Sequence, residues 1–376
     1  MQRYIDVLNK SGADAWEIND IKTRGWEFYF IGHRLDQNRA KEVEHITLKV
    51  YKDLPDGESM GSATAEVPPE ASDAELKKTV SDLVYKASLV KNRKYELNKP
   101  GEYGLLKDSL HSLQYEAAAY INAMKSVSET ETEDLNSYEI FVNQNERRLI
   151  TSTGIDITEK YPTSMLDVVV NAREDDHEIE LYRLYHMGEC DPAQLKEDID
   201  ELLQFGRDRL KTMPTPALGS CPVVLSTDAA LRVYEYFLDN MNAAYVVRGM
   251  SRFEIGKPVA DDVQGDKITL TARKELPGSP SNFACDSEGA PVKDTVLIED
   301  GVALKFFGNR MFSQYLGLED SFNVTNWSVK GGEKPGYQLR FGQFLEIVEF
   351  SDFQVDSMTG DIFGEIRLAY FHDGSR

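Results

Sequence analysis

His45-Ile46-Thr47-Leu48-Lys49-Val50-Tyr51 alternates apolar and polar side chains, the period of a strand with one buried face. Comparable runs flank it at Ala15–Ile21, Trp26–Ile31 and Ser62–Val67, with Gly25 and Asp56-Gly57 read as the turns between them. Then the period changes. Ser72 followed by Glu75 forms a capping box, in which each residue satisfies a free N–H of the other, and Leu76, Val80, Leu83 and Ala87 recur on one helical face. Antiparallel strands followed by an amphipathic helix predict an α+β fold.

The same reading extends in both directions. A short helix over Ile5–Asn9 ends at Ser11-Gly12, and Pro100-Gly101 breaks the chain. His111–Val127 reads as a helix, with Tyr115, Ala118 and Ile121, or Ala119 and Met124, toward a core, and the acidic run Glu129–Glu133 as a solvated connection. Strand patterns resume at Tyr138–Val142, Leu149–Ile157, Met165–Val170 and Glu178–Tyr185. Asp191 at N-cap, Pro192 at N1 and Gln194 at N3 open a helix to about Lys211, which Met213-Pro214-Thr215-Pro216 stops. Two domains are therefore expected: an N-terminal α+β domain over 1–213 and a strand-rich C-terminal domain over 217–376. The second half opens with a buried-looking strand, Pro222–Leu225, and a helix from Asp228 to about Val246. Beyond Gly249 it is strand- and turn-rich through Phe371.

Composition narrows the partners. The 376 residues contain 17 Phe and 18 Tyr, enough for a large core. Lys and Arg total 42 against 64 Asp and Glu, a net charge of −22, and no basic run forms a local patch. Nucleic-acid binding needs such a patch to neutralise phosphates, so it is not expected, nor is an acidic membrane surface. No apolar run reaches the ~20 residues of a membrane span, and the acidic start at Met1–Asp6 lacks a signal-peptide pattern. A cytoplasmic protein is expected. Cys190, Cys221 and Cys285 are far apart and form no C-x-x-C pair, so reduced, partly buried thiols are the expectation.

Few constellations suggest chemistry. Glu174-Asp175-Asp176-His177-Glu178 reads as a solvated hairpin, and His177-Glu178 lacks a second histidine at Leu181 or Tyr182. His186 falls in an alternating strand, where a structural imidazole is expected. Gly256-Lys257-Pro258 lacks the spacing of a phosphate loop, and Ser220-Cys221 has no nucleophile elbow around it. Tyr234, Phe237 and Leu238 read as core packing.

From Cys221 onward an ordered set of segments resembles the TldD/PmbA family. The set comprises Cys221-Pro222-Val223-Val224-Leu225, Arg248-Gly249-Met250-Ser251, Asp286-Ser287-Glu288-Gly289, Leu297–Val302, Tyr315-Leu316-Gly317 and Thr359-Gly360-Asp361-Ile362-Phe363. Gly12–Ala15 and Ser152–Asp156 resemble the family at lower specificity. The resemblance implies a cytoplasmic peptidase system in which a metal-bearing subunit pairs with a metal-free relative. In metal-bearing members a helix presents H-E-x-x-x-H. Placed without gaps from Arg248-Gly249, that stretch here is Tyr234–Asp239: Glu235 persists, while Tyr234 and Asp239 stand at the histidine positions. No register recovers a histidine, since none lies between His186 and His372. A zinc-type site needs imidazoles or thiolates, and a phenol with pKa near 10 is a poor substitute.

The family's third ligand, a cysteine, belongs to a C-terminal segment that this sequence is not expected to include. The resemblance thus implies a TldE/PmbA-like member with no metal, no cofactor and no catalytic residue. It would dimerise with a metal-bearing TldD-like subunit or with itself and hold a peptide substrate. An exposed strand edge between Ile268 and Phe371 is where such a peptide is expected. The alternatives are a stand-alone homodimeric peptide-binding protein, and a hydrolase with an altered site built on Glu235 and Asp239.

Overall fold

The computed structural model describes residues 1–104, 110–215 and 217–374; Pro216 of the expected helix stop lies outside them. The fold is α+β, with mainly antiparallel sheets. The elements run α1 (Gln2–Asn9), β1 (Ala15–Ile31), β2 (Arg34–Asp53), β3 (Ser59–Val67), α2 (Asp73–Ser88), β4 (Asn92–Arg93) and α3 (Leu113–Lys125). They continue with β5 (Glu133–Thr151), β6 (Asp156–Glu174), β7 (His177–Met187), α4 (Pro192–Leu210), β8 (Val223–Leu225), α5 (Thr227–Asn240) and α6 (Ala243–Val247). The last are β9 (Leu270–Arg273), β10 (Thr295–Glu299), β11 (Val302–Ala303), α7 (Arg310–Tyr315), β12 (Asn326–Val329), α8 (Gly336–Leu339), β13 (Gln343–Val355) and β14 (Ile362–Asp373).

Seven strands form one sheet in the order β4-β3-β2-β1-β5-β6-β7. Its strands are longer than the sequence runs suggested. Gly25 is no turn: it lies inside β1, opposite Lys41 on β2 and Asn143 on β5. A Cβ there would lie 2.2 Å from Asn143 Oδ1, so glycine marks a close strand approach. Leu149–Ile157 likewise spans two strands, because Ser152–Gly154 turns the chain between β5 and β6. The run Glu129–Glu133 is not wholly solvated either. Glu133 is buried at the start of β5, where it accepts from Thr132 Oγ1 and Arg207 Nη1.

Alternation along the strands sends Trp16, Ile18, Phe28 and Phe30 of β1 to one face. On that face α1 and α2 cover one half of the sheet, burying Leu76, Val80, Leu83 and Ala87. α3 and α4 cover the other half, burying Tyr120, Met124, Ile199 and Leu202. The capping box on α2 forms as expected, and Asp191 caps α4. The core face of α3 differs in part from the expected one: Met124 is buried as expected, but so are Leu113, Ala117 and Tyr120, while Tyr115 is 60% exposed.

The opposite face bears Glu17, Tyr51, Arg147, Leu149 and Glu159, and the segment 283–291 covers it. Arg147 pairs with Glu159 in the interior and donates from Nη2 to the Cys285 carbonyl at 2.7 Å. Gly289, at φ +79°, packs so closely on Ile155 and Leu149 that a Cβ would lie 2.6 Å from Ile155 Cδ1. Two segments of the family-resembling set, Ser152–Asp156 and Asp286–Gly289, thus meet in space. Asp286 itself is buried and accepts from the N–H groups of Glu288, Ala290 and Asn323. The remaining strands form a four-stranded sheet, β11-β10-β9-β12, around Leu270, Ala272 and Ile298, and a three-stranded sheet, β14-β13-β8.

Candidate functional site

The helix that resembles the family's motif helix is α5. β8 precedes it, parallel to β13, and the Ser226 N–H donates to the Ile347 carbonyl, which fixes the helix start against β13. β8 is less buried than expected: Val223 is 52% exposed. The helix also ends earlier than expected. It stops at Asn240, Met241 turns the chain, and Asn242 caps the separate α6 through the Ala244 N–H. That cap residue was legible in the sequence; the continuous apolar pattern around it masked the break.

The three motif positions face different surroundings. Tyr234 lines a cleft of about 450 Å³ with Phe237, Val259, Val263, Ile268 and Val302. Phe237 and Leu238 pack on the core of the four-stranded sheet, as expected for the stripe, but Tyr234 is a cleft residue. Glu235 accepts from Arg232 Nη1 at 3.0 Å on an exposed part of the helix. Asp239 accepts from Ser357 Oγ at 2.6 Å, on the turn between β13 and β14. No hydrogen bond or ion pair links the three among the described residues. A phenol and two carboxylates engaged elsewhere do not fit a zinc-type site. Among the described residues no group of three or more His, Cys, Asp or Glu is arranged around a common point.

One residue that the sequence reading passed over is better placed than any of these. Asn240 is 1% exposed and donates from Nδ2 to the carbonyls of Tyr236, at 2.9 Å, and Ser357, at 2.7 Å. Gly360, at φ +78°, lies under the Tyr236 ring, where a Cβ would approach Cε2 to 3.4 Å. The β13–β14 turn is therefore tied to the C-terminal end of α5. Thr359-Gly360-Asp361 carried the sequence signal for one side of this contact; a polar residue ending an apolar helix was the signal for the other.

On its N-terminal side α5 borders a second space, a slot of about 460 Å³. Tyr182, Arg183 and Leu184 of β7 form one wall and Val348–Phe353 of β13 the other, with Ser226, Asp228 and Arg232 at the α5 end. Among the described residues β7 pairs only with β6, and β8 reaches β13 only at Leu345–Ile347. Both walls are thus strand edges. Arg183 pairs with Asp228 at 3.3 Å, and burial pushes the Glu349 carboxyl up despite Arg209, Arg183 and Arg367 nearby.

The remaining sequence candidates lie apart from α5. Glu174–Glu178 is an exposed hairpin turn with Asp175 at φ 52°, and Glu178 pairs with Arg173. His186 is exposed at the outer strand rather than a buried structural imidazole. Cys285 is fully buried; burial and Glu159 push its thiol up to about 12, which suits packing rather than nucleophilic attack. Among the described residues no helix is long and apolar enough to cross a membrane.

Residues 218–376 match the model of the PmbA/TldA metallopeptidase C-terminal domain. Among solved structures, TldE from Thermococcus kodakarensis is 14% identical, with a TM-score of 0.78 over 100% of this chain and 88% of that one. A protein described as a proposed modulator of a DNA gyrase, from Thermotoga maritima, is 17% identical, with a TM-score of 0.76 over 99% of this chain and 87% of that one. A similarly described protein from Bacteroides thetaiotaomicron is 14% identical, with a TM-score of 0.73 over 99% of this chain and 90% of that one. No curated protein matches the sequence. Residues 218–376 thus match the PmbA/TldA metallopeptidase C-terminal domain, and the whole chain shares the fold of these structures.

Proposed function

We propose that the chain is a TldE/PmbA-like, non-catalytic subunit of a cytoplasmic TldD/TldE-type metallopeptidase system. In this reading it holds extended peptides and pairs with a metal-bearing relative or with itself. The observation that supports it most is the slot between β7 and β13. Two strand edges border one space, and free main-chain N–H and C=O groups on an edge bind an extended peptide of almost any sequence. Arg183 and Asp228, paired with each other, and Arg232 and Glu349 line it and give it charge of both signs for a bound side chain. If the chain divides into 1–213 and 217–376, one wall comes from each unit.

The absence of catalysis is argued from the donors. Tyr234 is a phenol on an apolar cleft, Glu235 is held by Arg232 and Asp239 by Ser357. None is placed to activate a water. The same engagements weigh against an altered hydrolase built on Glu235 and Asp239.

The test is anisotropy with a fluorescent, unstructured hexapeptide and a copy N-methylated at alternate amides, together with mass spectrometry of the peptide after incubation. The peptide should bind saturably and stay intact. Losing one or two main-chain donors should weaken binding about tenfold, at about 1 kcal/mol per hydrogen bond. Equal affinity for both peptides would overturn the strand-edge reading, and turnover by the chain alone would overturn the non-catalytic one.

A further inference from the structure

Beside the Tyr234 cleft stands a segment that behaves unlike the rest of this acidic surface. Every residue from Lys330 to Phe341 is exposed. Within it α8 and the residues after it present Tyr337 at 74% exposure, Leu339 at 53% and Phe341 at 90%. Three large apolar side chains held in solvent within five residues of chain mark a contact surface, since single exposed apolar residues are common but clusters are not. The arm does not fold back. Arg340 anchors it, donating from Nε to Glu346 at 2.8 Å and from Nη1 to the Gly336 carbonyl at 3.4 Å.

Its charge is also opposite to its surroundings. Lys330 and Lys334 lie on the arm with no ion pair among the described residues, beside one acid, Glu333, in a chain of net charge −22. The cleft next to it has the complementary character. Its floor is Tyr234, Phe237, Val259 and Ile268, and its rim carries Asp261, Asp262, Asp266 and Asp300 against one lysine, Lys267. Asp261, Asp262 and Asp300 likewise have no ion pair among the described residues. Arm and cleft are adjacent: the Glu333 N–H donates to Asp266 Oδ2 at 3.0 Å, and the Lys330 N–H to the Thr269 carbonyl at 3.0 Å.

We infer that the arm 330–341 of one copy docks in the Tyr234 cleft of a second copy, and reciprocally, across a two-fold axis. A two-fold interface requires a self-complementary patch, and here an aromatic, basic projection and an acidic-rimmed, apolar recess lie side by side on the same chain. That both halves of the interlock belong to one sequence is what favours a second copy over a different partner. Aromatic anchors entering a desolvated recess dominate such interfaces, while the lysine–aspartate pairs at the rim set orientation and rate of encounter. The inference rests on the pairing part of the proposed function and gives it a surface; it is independent of peptide capture.

The test uses two full-length variants, Lys330→Glu/Lys334→Glu and Asp261→Lys/Asp262→Asn. Asparagine at 262 tolerates the left-handed backbone, φ 53°, of that position. All four positions are exposed, so both variants should melt like the parent. In sedimentation velocity the parent should be dimeric. Each variant alone should dissociate at least tenfold more readily, because opposite charges no longer face each other at either dock. An equimolar mixture should recover the dimer in part, since one of its two docks then again pairs a basic arm with an acidic rim, and the other no longer sets an acidic arm against an acidic rim. Phe341→Ser should weaken the dimer without being rescued by either variant. A monomeric parent at all concentrations overturns both the interlock and self-pairing. Dimeric variants, or a mixture that stays monomeric, overturn the interlock alone, and unchanged hexapeptide binding in any of these cases leaves the peptide reading standing.

Discussion

Glu17 lies on the polar face of β1, where its carboxylate accepts from Tyr51 Oη at 2.6 Å and has Lys49 Nζ at 3.9 Å. Lys49 also reaches Glu288 at 3.7 Å, so this lysine stands between two carboxylates, with Asp286 close by. Burial is the largest influence and raises the Glu17 pKa above its ordinary 4.5, Lys49 and Tyr51 opposing it and Glu288 and Asp286 adding to it. A carboxyl with a raised folded pKa contributes its stability below the unfolded value and loses it as pH rises through the folded value. Glu17→Gln should therefore gain stability relative to the parent as pH rises above about 4.5, by about 1.4 kcal/mol for each tenfold change in proton affinity. Urea unfolding of both proteins at a series of pH values from 4 to 8 checks this. A difference that stays flat with pH would show that Glu17 is not perturbed by its surroundings. The residue scale was also where the sequence was least readable. Asn240 and Glu17 look like ordinary polar residues in the chain, and only their burial gives them a role.

At the scale of elements, local signals served well where the chemistry is local. Ser72 and Glu75 reciprocate as a capping box, with the Ser72 N–H donating to Glu75 Oε2 at 2.8 Å and the Glu75 N–H to Ser72 Oγ at 3.3 Å. Ser72→Ala should cost about 1 kcal/mol of stability, read as a lower urea midpoint with unchanged slope. Signals failed where a distant strand decides. Gly25 reads as a turn from its neighbours alone, yet Asn143, far away in sequence, needs its missing side chain. Tyr115 and Tyr120 both fit an apolar stripe, and the choice between them depends on β5 and β6, which no helical period reveals. The candidate site shows the same division. Loss of the histidines was plain from residues 234–239, and the two clefts flanking α5 were not, because their walls come from β7, β13 and the loop 258–268.

For the molecule as a whole, the two faces of the seven-stranded sheet do different work. One face is oiled by four helices and makes the two large cores. The other is joined to segment 283–291 by charge and hydrogen bonds, with Arg147 and Glu159 at its centre and the Arg147 guanidinium 4.8 Å over the Phe283 ring. Arg147→Met would leave Glu159 buried without its partner, and should cost about 3–5 kcal/mol. Denaturant unfolding checks it, with Arg147→Met/Glu159→Leu expected to recover part of the loss; a cost below 1 kcal/mol for the single variant would place the pair in water rather than in the interior.

That buried pair has a further consequence. An apolar join tolerates sliding, because one greasy contact is much like the next, whereas a guanidinium that must meet one carboxylate and one carbonyl permits a single seating. β7 belongs to the sheet on one side of this join, and β13 to the part of the chain beyond it. Arg147 thereby acts as a calliper screw: together with the Tyr370–Asp208 and Arg209–Glu349 contacts, it sets how the later part of the chain seats on the sheet.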